Sequence, residues 1–251
     1  MKVNTTKQKL VAGQPAFGFA VGLGSPIAAE ILTGCGIDFV FVDNQHGSWG
    51  PESTTAAFMA IATGPATPIA RVARNDYTMV GRLLDEGCMG VVFPMIHTAA
   101  DAKQAADSVR LPPVGTRSWG WGRAARYGDD YPDWINDQVL CIVQIESIQA
   151  VENAEAIMAT PGVDGCWLGP GDMALSMGID PRKAATDERH VKATERVLQA
   201  CRNTGKAAGF ACGSTQEARD RADKGWQFLT AGSDIGFLLG GVKAALKTLG
   251  L

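Results

Sequence analysis

Residues Val139–Asp172 read VLCIVQIESIQAVENAEAIMATPGVDGCWLGPGD. Two short apolar runs, Val139–Glu146 and Val163–Leu168, flank a helix-like stretch, Ser147–Met158. Both runs are nearly continuous in apolar residues and do not alternate. Strands buried on both faces, as in a parallel sheet, have this pattern. Each run also leads into polar chemistry: Gln144 and Glu146 in the first, and Gly169-Pro170-Gly171-Asp172 after the second.

The same unit recurs in both directions. Further strands are predicted at Phe17–Val21, Phe39–Asp43, Pro68–Val72, Gly90–Pro94, Ala207–Ala211 and Gln227–Ala231. Helix patterns lie between and after them, at Pro26–Gly34, Pro51–Ala62, Tyr77–Glu86, Ala99–Val109, Asp187–Asn203, Thr215–Asp223 and Ile235–Leu249. Glycines follow or end several of these, at Gly34, Gly87 and Gly205, as helix C-caps do. Eight strands alternating with eight helices predict a closed (β/α)8 TIM barrel, with residues 1–251 as one domain. The length of 251 residues agrees, because such a barrel takes about 250. A dinucleotide-binding open sheet would want GxGxxG after its first strand, and Val21–Pro26 (VGLGSP) lacks the third glycine. One stretch breaks the alternation: Leu111–Gln138, rich in Gly, Pro and aromatic residues. A loop of that length is usually functional, and its place after the fourth strand predicts part of the rim or a lid.

Composition narrows the partners. The chain is 46% hydrophobic and 20% charged, with a net charge of −3, and no Lys/Arg run points to nucleic acid or an anionic membrane. The polar Met1–Leu10 segment lacks a signal-peptide core, and no apolar run is long enough to span a bilayer. A cytoplasmic protein is expected. Its six cysteines form no CxxC pair and several sit beside strands, where a small thiol packs well.

Barrel active sites form at the C-terminal ends of the strands. Asp43 ends the second strand, with His46 just beyond it, and Arg71 ends the third. Glu146 and Asp172 follow consecutive strands and should be neighbours. Two carboxylates without Cys or His ligands suit a hard, oxygen-preferring cation. Alternatively each caps a helix, a favourable place for a carboxylate in its own right. His46 is either structural or a general base, whereas His97 is a weaker candidate and His190, in a charged helix, should be solvated. Arg71 emerges from an apolar strand and needs an anionic partner: Asp43, Asp85, or a substrate oxygen that gains charge. The N–H groups of Gly171 and Asp172 open a helix and suit a substrate carboxylate. No lysine lies in a strand or at its C-terminal end, which counts against imine chemistry and for enolate chemistry at a metal.

These motifs resemble the HpcH/HpaI aldolase family, the metal-dependent pyruvate aldolases. The resemblance runs over nearly the whole chain. It is carried by FVFVDNQHG (Phe39–Gly47), PIARVARND (Pro68–Asp76), LLDEGCMGVVFPMI (Leu83–Ile96), PPVGTRS (Pro112–Ser118), VQIES (Val143–Ser147) and VDGCWLGPGDMALSMG (Val163–Gly178). It implies that Glu146 and Asp172 hold a divalent metal (Mg, Mn or Co), that His46 is the catalytic base, and that Asp85 raises its basicity. It further implies that Arg71 stabilises the enolate oxygen and that Gln144, Gly171 and Asp172 bind the pyruvyl group. The implied reaction is class II retro-aldol cleavage of a 4-hydroxy-2-oxo acid to pyruvate and an aldehyde, by way of a metal-held pyruvate enolate, in aromatic or sugar acid catabolism. The implied assembly is a homo-oligomer, often a hexamer. A 2-oxo-acid lyase such as an oxaloacetate decarboxylase would share the enolate and the metal. A non-catalytic carboxylate-binding barrel is the rival from another class. Two departures stand out: Gln45, where many members have Glu before the histidine, and GPGD in place of GPAD. The resemblance also places the Leu111–Gln138 loop against the aldehyde.

Overall fold

The computed structural model describes residues 1–120 and 122–251. Trp121, inside the predicted loop, lies outside the described residues. The strands are β1 (Ala16–Val21), β2 (Phe39–Asp43), β3 (Thr67–Arg71), β4 (Gly90–Phe93), β5 (Leu140–Ile145), β6 (Gly165–Leu168), β7 (Gly209–Ala211) and β8 (Phe228–Ser233). They close in sequence order into one barrel, each pair parallel, with β8 against β1. All eight predicted strands are present, with ends displaced by a residue or two. The helices are α1 (Thr5–Val11), α2 (Pro26–Thr33), α3 (Pro51–Ile61), α4 (Tyr77–Asp85), α5 (Ala99–Ser108), α6 (Tyr131–Gln138), α7 (Ile148–Glu152), α8 (Ala154–Met158), α9 (Pro170–Ser176), α10 (Glu188–Thr204), α11 (Thr215–Asp223) and α12 (Asp234–Leu249). Short 3-10 turns occupy Arg123–Tyr127 and Pro181–Thr186. No described helix is long and apolar enough to cross a membrane.

Strand alternation divides the core into two parts. Inward-facing Phe39, Phe41, Ile69, Val92, Leu140, Ile142, Trp167 and Phe228 fill the barrel. Outward-facing Val40, Val42, Ala70, Val91, Cys141, Val143, Cys166 and Leu168 pack under the helices. The Phe39 and Phe228 rings stack 4.5 Å apart in the interior. The first ten residues, polar in sequence, contribute α1, which closes the N-terminal end of the barrel. Its cap Asn4 is buried, and its Nδ2 donates to Met89 O (2.9 Å) and Gln138 O (2.8 Å). Leu10 joins the interior cluster.

Three expectations need correction, and the last helix adds a further feature. The Leu111–Gln138 stretch connects α5 to β5, so it emerges at the N-terminal end of the barrel and is not a lid over the mouth of its own barrel. Its anchors lie along α4: Arg117 Nη2 donates to Asp85 Oδ1 (2.8 Å), Tyr127 Oη to Gly87 O (2.7 Å) and Ser118 N to Tyr77 Oη (2.8 Å). Its last third is helix α6, where Pro132 sits in the first turn and costs no hydrogen bond. The Ser147–Met158 helix is two helices, α7 and α8, broken at Asn153, whose Nδ2 donates to His97 O (2.9 Å). His190 is buried, not solvated: its Nε2 lies 3.0 Å from Pro170 O, in the turn that carries Asp172. Beyond its first turn, where Phe237 meets Phe19 edge-on at 4.7 Å, α12 leaves its apolar face off the barrel. Asp234 pins its first turn by accepting from Gly22 N and Leu23 N, while Ile235, Phe237, Leu238, Leu239, Val242, Leu246 and Leu249 stay exposed.

Candidate active site

The site forms where β2, β3, β5 and β6 end. Register decides the partner of Arg71. In the β2–β3 ladder Asp43 lies directly beside Arg71. The guanidinium, 8% exposed, donates from Nε to Asp43 Oδ1 (2.9 Å) and from Nη2 to Asp43 Oδ2 (2.5 Å). Burial works to raise the Asp43 carboxyl, but the hydrogen bonds and charge of Arg71 outweigh it and hold Asp43 below the usual carboxylate range. The same carboxylate accepts from Gln45 N (3.1 Å) and His46 N (3.2 Å), so one acid fixes both Arg71 and the turn that carries His46. His46 itself is exposed. Gln45 Oε1 is buried without a hydrogen-bond partner among the described residues.

A second chain of contacts runs from Arg71 into the carboxylate pair. Arg71 Nη1 approaches Gln144 Oε1 at 3.5 Å, and Gln144 Nε2 donates to Glu146 Oε2. Glu146, 3% exposed, also accepts from Met95 N (2.8 Å) at Oε1. Met95 adopts φ 55°, a left-handed conformation that a side chain disfavours, and that conformation accompanies the N–H aimed at the carboxylate. Burial pushes the Glu146 carboxyl up to about 7; the Met95 N–H opposes this and the neighbouring Asp172 adds to it. Asp172 stands exposed in the first turn of α9, beside Gly171. Gly169 precedes them, and a Cβ there would lie 2.9 Å from Gln144 Nε2 and 3.0 Å from Glu146 Oε2. The glycine leaves the space that these side chains occupy. Two adjacent carboxylates, one of them raised by burial, fit a hard divalent ion whose other ligands come from substrate and water.

The structure therefore brings together Arg71, Gln144, Glu146, Gly171 and Asp172, with His46 on the neighbouring turn. It does not bring Asp85 to His46 within the chain. Asp85 ends α4, at the opposite end of the barrel, and pairs with Arg117, whose side chain is 0% exposed. Sequence reasoning also missed Trp167, whose ring centroid lies 5.3 Å from the Arg71 guanidinium carbon. Strict alternation along β6 would have turned it inward, between outward Cys166 and Leu168. Nothing in the sequence marks the Met95 backbone. His97 stays at the edge of the site, its Nδ1 2.8 Å from Ser147 Oγ.

Residues 17–239 match the family described as HpcH/HpaI aldolase/citrate lyase. The chain is 33% identical over 254 residues to a 4-hydroxy-2-oxo-heptane-1,7-dioate aldolase of Escherichia coli, covering 98% of this chain and 95% of that protein. It is 35% identical over 243 residues to a hydroxypyruvate/pyruvate aldolase of Chromohalobacter salexigens, covering 94% and 93%. A crystal structure of an HpcH/HpaI aldolase/citrate lyase family protein from Burkholderia cenocepacia J2315 superposes with a TM-score of 0.93 at 35% identity, over 99% of this chain and 100% of that one. The chain thus belongs to the HpcH/HpaI aldolase/citrate lyase family and is a carbon–carbon lyase of the aldolase type.

Proposed function

We propose that this protein is a divalent-metal-dependent aldolase that reversibly cleaves a 4-hydroxy-2-oxo acid into pyruvate and an aldehyde. The observation that carries the reading is the buried Glu146 beside Asp172, linked through Gln144 to Arg71. Glu146 and Asp172 would hold Mg, Mn or Co, and the bound ion supplies Lewis-acid charge to the oxygens of a 2-oxo acid. Arg71, held by Asp43, presents N–H groups to the C2 oxygen, where negative charge grows as the C3–C4 bond breaks. Gln144 and the N–H groups of Gly171 and Asp172 orient the pyruvyl carboxylate and keto group. His46 takes the proton of the 4-hydroxyl as the aldehyde leaves, and a proton returns to C3 to give pyruvate. Asp43, through its hold on the Gln45–His46 backbone, positions that base.

The exposed apolar face of α12 supports a homo-oligomer in which another copy covers it, consistent with the hexamer implied by the resemblance. Sedimentation of the intact protein tests this, and a monomer at micromolar concentration contradicts it. All six cysteines are free, and the Cys166 and Cys201 thiols share a hydrogen bond at 3.4 Å.

The function is tested by giving metal-loaded protein a 4-hydroxy-2-oxo acid and, separately, oxaloacetate. Pyruvate formed with one equivalent of aldehyde, and abolished by Glu146→Gln, supports the aldolase. Pyruvate formed only from oxaloacetate, with carbon dioxide and no aldehyde, makes the protein a decarboxylase. No turnover of either, with metal and pyruvate still bound, leaves a ligand-binding barrel.

A further inference from the structure

Trp167 is a large aromatic side chain set against Arg71, and its surroundings hold it in one orientation. Alternation along β6 turns it into the barrel, where it is 6% exposed and 5.0 Å from the Phe41 ring. Its indole N–H donates to Thr230 Oγ1 on β8 at 3.3 Å, which fixes the plane of the ring. The Arg71 guanidinium lies over that ring, 5.3 Å from its centroid. Cations are attracted to the electron-rich face of an indole more than to any other side-chain ring.

The other restraints on Arg71 leave a gap that this contact fills. Asp43 holds the Nε–Nη2 edge with two hydrogen bonds. The remaining nitrogen, Nη1, has only the long 3.5 Å approach to Gln144. A carboxylate on one edge fixes that edge but resists tilt of the guanidinium weakly, and tilt is what would swing Nη1 toward or away from a substrate oxygen. The fixed indole, with the guanidinium carbon over its face 5.3 Å from the centroid, opposes that tilt. We infer that Trp167 is a positioning residue that, held by Thr230, sets the angle at which Arg71 meets the oxygen that becomes negative. The inference rests on the aldolase reading, because it takes Arg71 as the group that stabilises the enolate.

The test is a double-mutant cycle read in two ways. Trp167→Leu removes the aromatic face, Trp167→Phe keeps a weaker face without the N–H, and Thr230→Val removes the acceptor that orients the ring. Each is made in the native protein and in Arg71→Ala. The readouts are kcat and KM for pyruvate formation, and the affinity of magnesium-loaded protein for oxalate, a planar dianion with the shape of the pyruvate enolate. In the native background Trp167→Leu should lower kcat and oxalate affinity about tenfold, and Trp167→Phe about threefold, with KM for the oxo acid little changed. In Arg71→Ala the same substitutions should cost less than about twofold, because the group they act through is gone. Equal losses in both backgrounds mean that Trp167 only packs, and overturn the inference. If Trp167→Leu does not fold, Trp167→Phe and Thr230→Val make the same comparison. Wild-type protein that binds oxalate yet yields no aldehyde defeats the aldolase reading, while the affinity cycle still decides the role of Trp167. Wild-type protein that binds no oxalate overturns both.

Discussion

Gly169→Ala adds one methyl group at the point where the ligand side chains are most crowded. The backbone itself tolerates alanine, since Gly169 has φ −95° and caps α9 in an extended conformation. The obstacle is space. The new Cβ would lie 2.9 Å from Gln144 Nε2, 3.0 Å from Glu146 Oε2 and 3.1 Å from Glu146 Cβ. Ordinary contacts of this kind begin about half an ångström further out, and Gln144 and Glu146 are both buried with no slack to one side. The shift must come from the ligand set itself. Such overpacking costs about 1–3 kcal/mol, which for a chain of this size lowers the melting temperature by roughly 2–12 °C. Displacing an oxygen that should bind metal, together with the amide that orients it, should weaken the ion about 10–100-fold. Manganese titration followed by the spectrum of the free ion gives the affinity, and melting with and without manganese gives the stability. Gly171→Ala serves as the control for folding, since its Cβ would meet nothing within 4 Å, and should melt as the native protein does. Gly169→Ala protein that binds manganese within about twofold of native, with unaltered melting, would refute the crowded geometry.

Metal affinity should depend on pH through Glu146. Burial first, with help from Asp172, raises that carboxyl to about 7, so a proton competes with the ion below that pH. Affinity should climb as pH rises to about 7 and then level, with proton release on binding at lower pH; a flat affinity from about pH 5.5 to about 8 contradicts this. Stability of the metal-free protein should run the other way. A carboxyl raised above its ordinary value of 4.5 contributes stability that is fully present below 4.5 and lost as pH rises through about 7. Asp43→Ala leaves the Arg71 guanidinium buried without a partner and should cost about 3–5 kcal/mol in urea unfolding, with a loss under about 1 kcal/mol contradicting the pairing. Asp85→Ala should destabilise by about 2–4 kcal/mol by stranding the fully buried Arg117, and an unchanged unfolding midpoint would show that the pair does not anchor the loop.

The barrel was legible because parallel strands covered on both faces leave uninterrupted apolar runs, and Phe39–Asp43, for example, was read to the residue. The position of the site followed from the polar groups at the strand ends. What was not legible depends on contacts distant in sequence. Asp43 and Asp85 were equivalent partners for Arg71 until the β2–β3 register set Asp43 beside it and the α4 terminus carried Asp85 away. The Leu111–Gln138 stretch was placed at the mouth because it comes after β4, but a connection that leaves a helix and enters a strand emerges at the opposite end. Asn4 and Leu10 lie in a segment that reads only as polar until the open end of a barrel is available to cap. His190 lies among charged residues, yet its own position on α10 faces inward. The apolar face of α12 was visible, but a sequence does not say whether such a face is covered by its own barrel or by another copy.

The central claim is that Glu146 and Asp172 hold a metal at which pyruvate is joined to or released from an aldehyde. The most direct measurement gives metal-depleted protein pyruvate and a panel of short aldehydes, with and without Mg, Mn or Co, and follows pyruvate loss. Loss that requires both metal and aldehyde, and that disappears in Glu146→Ala, is the predicted result. Full activity in protein freed of metal, or activity retained in Glu146→Ala, would contradict it.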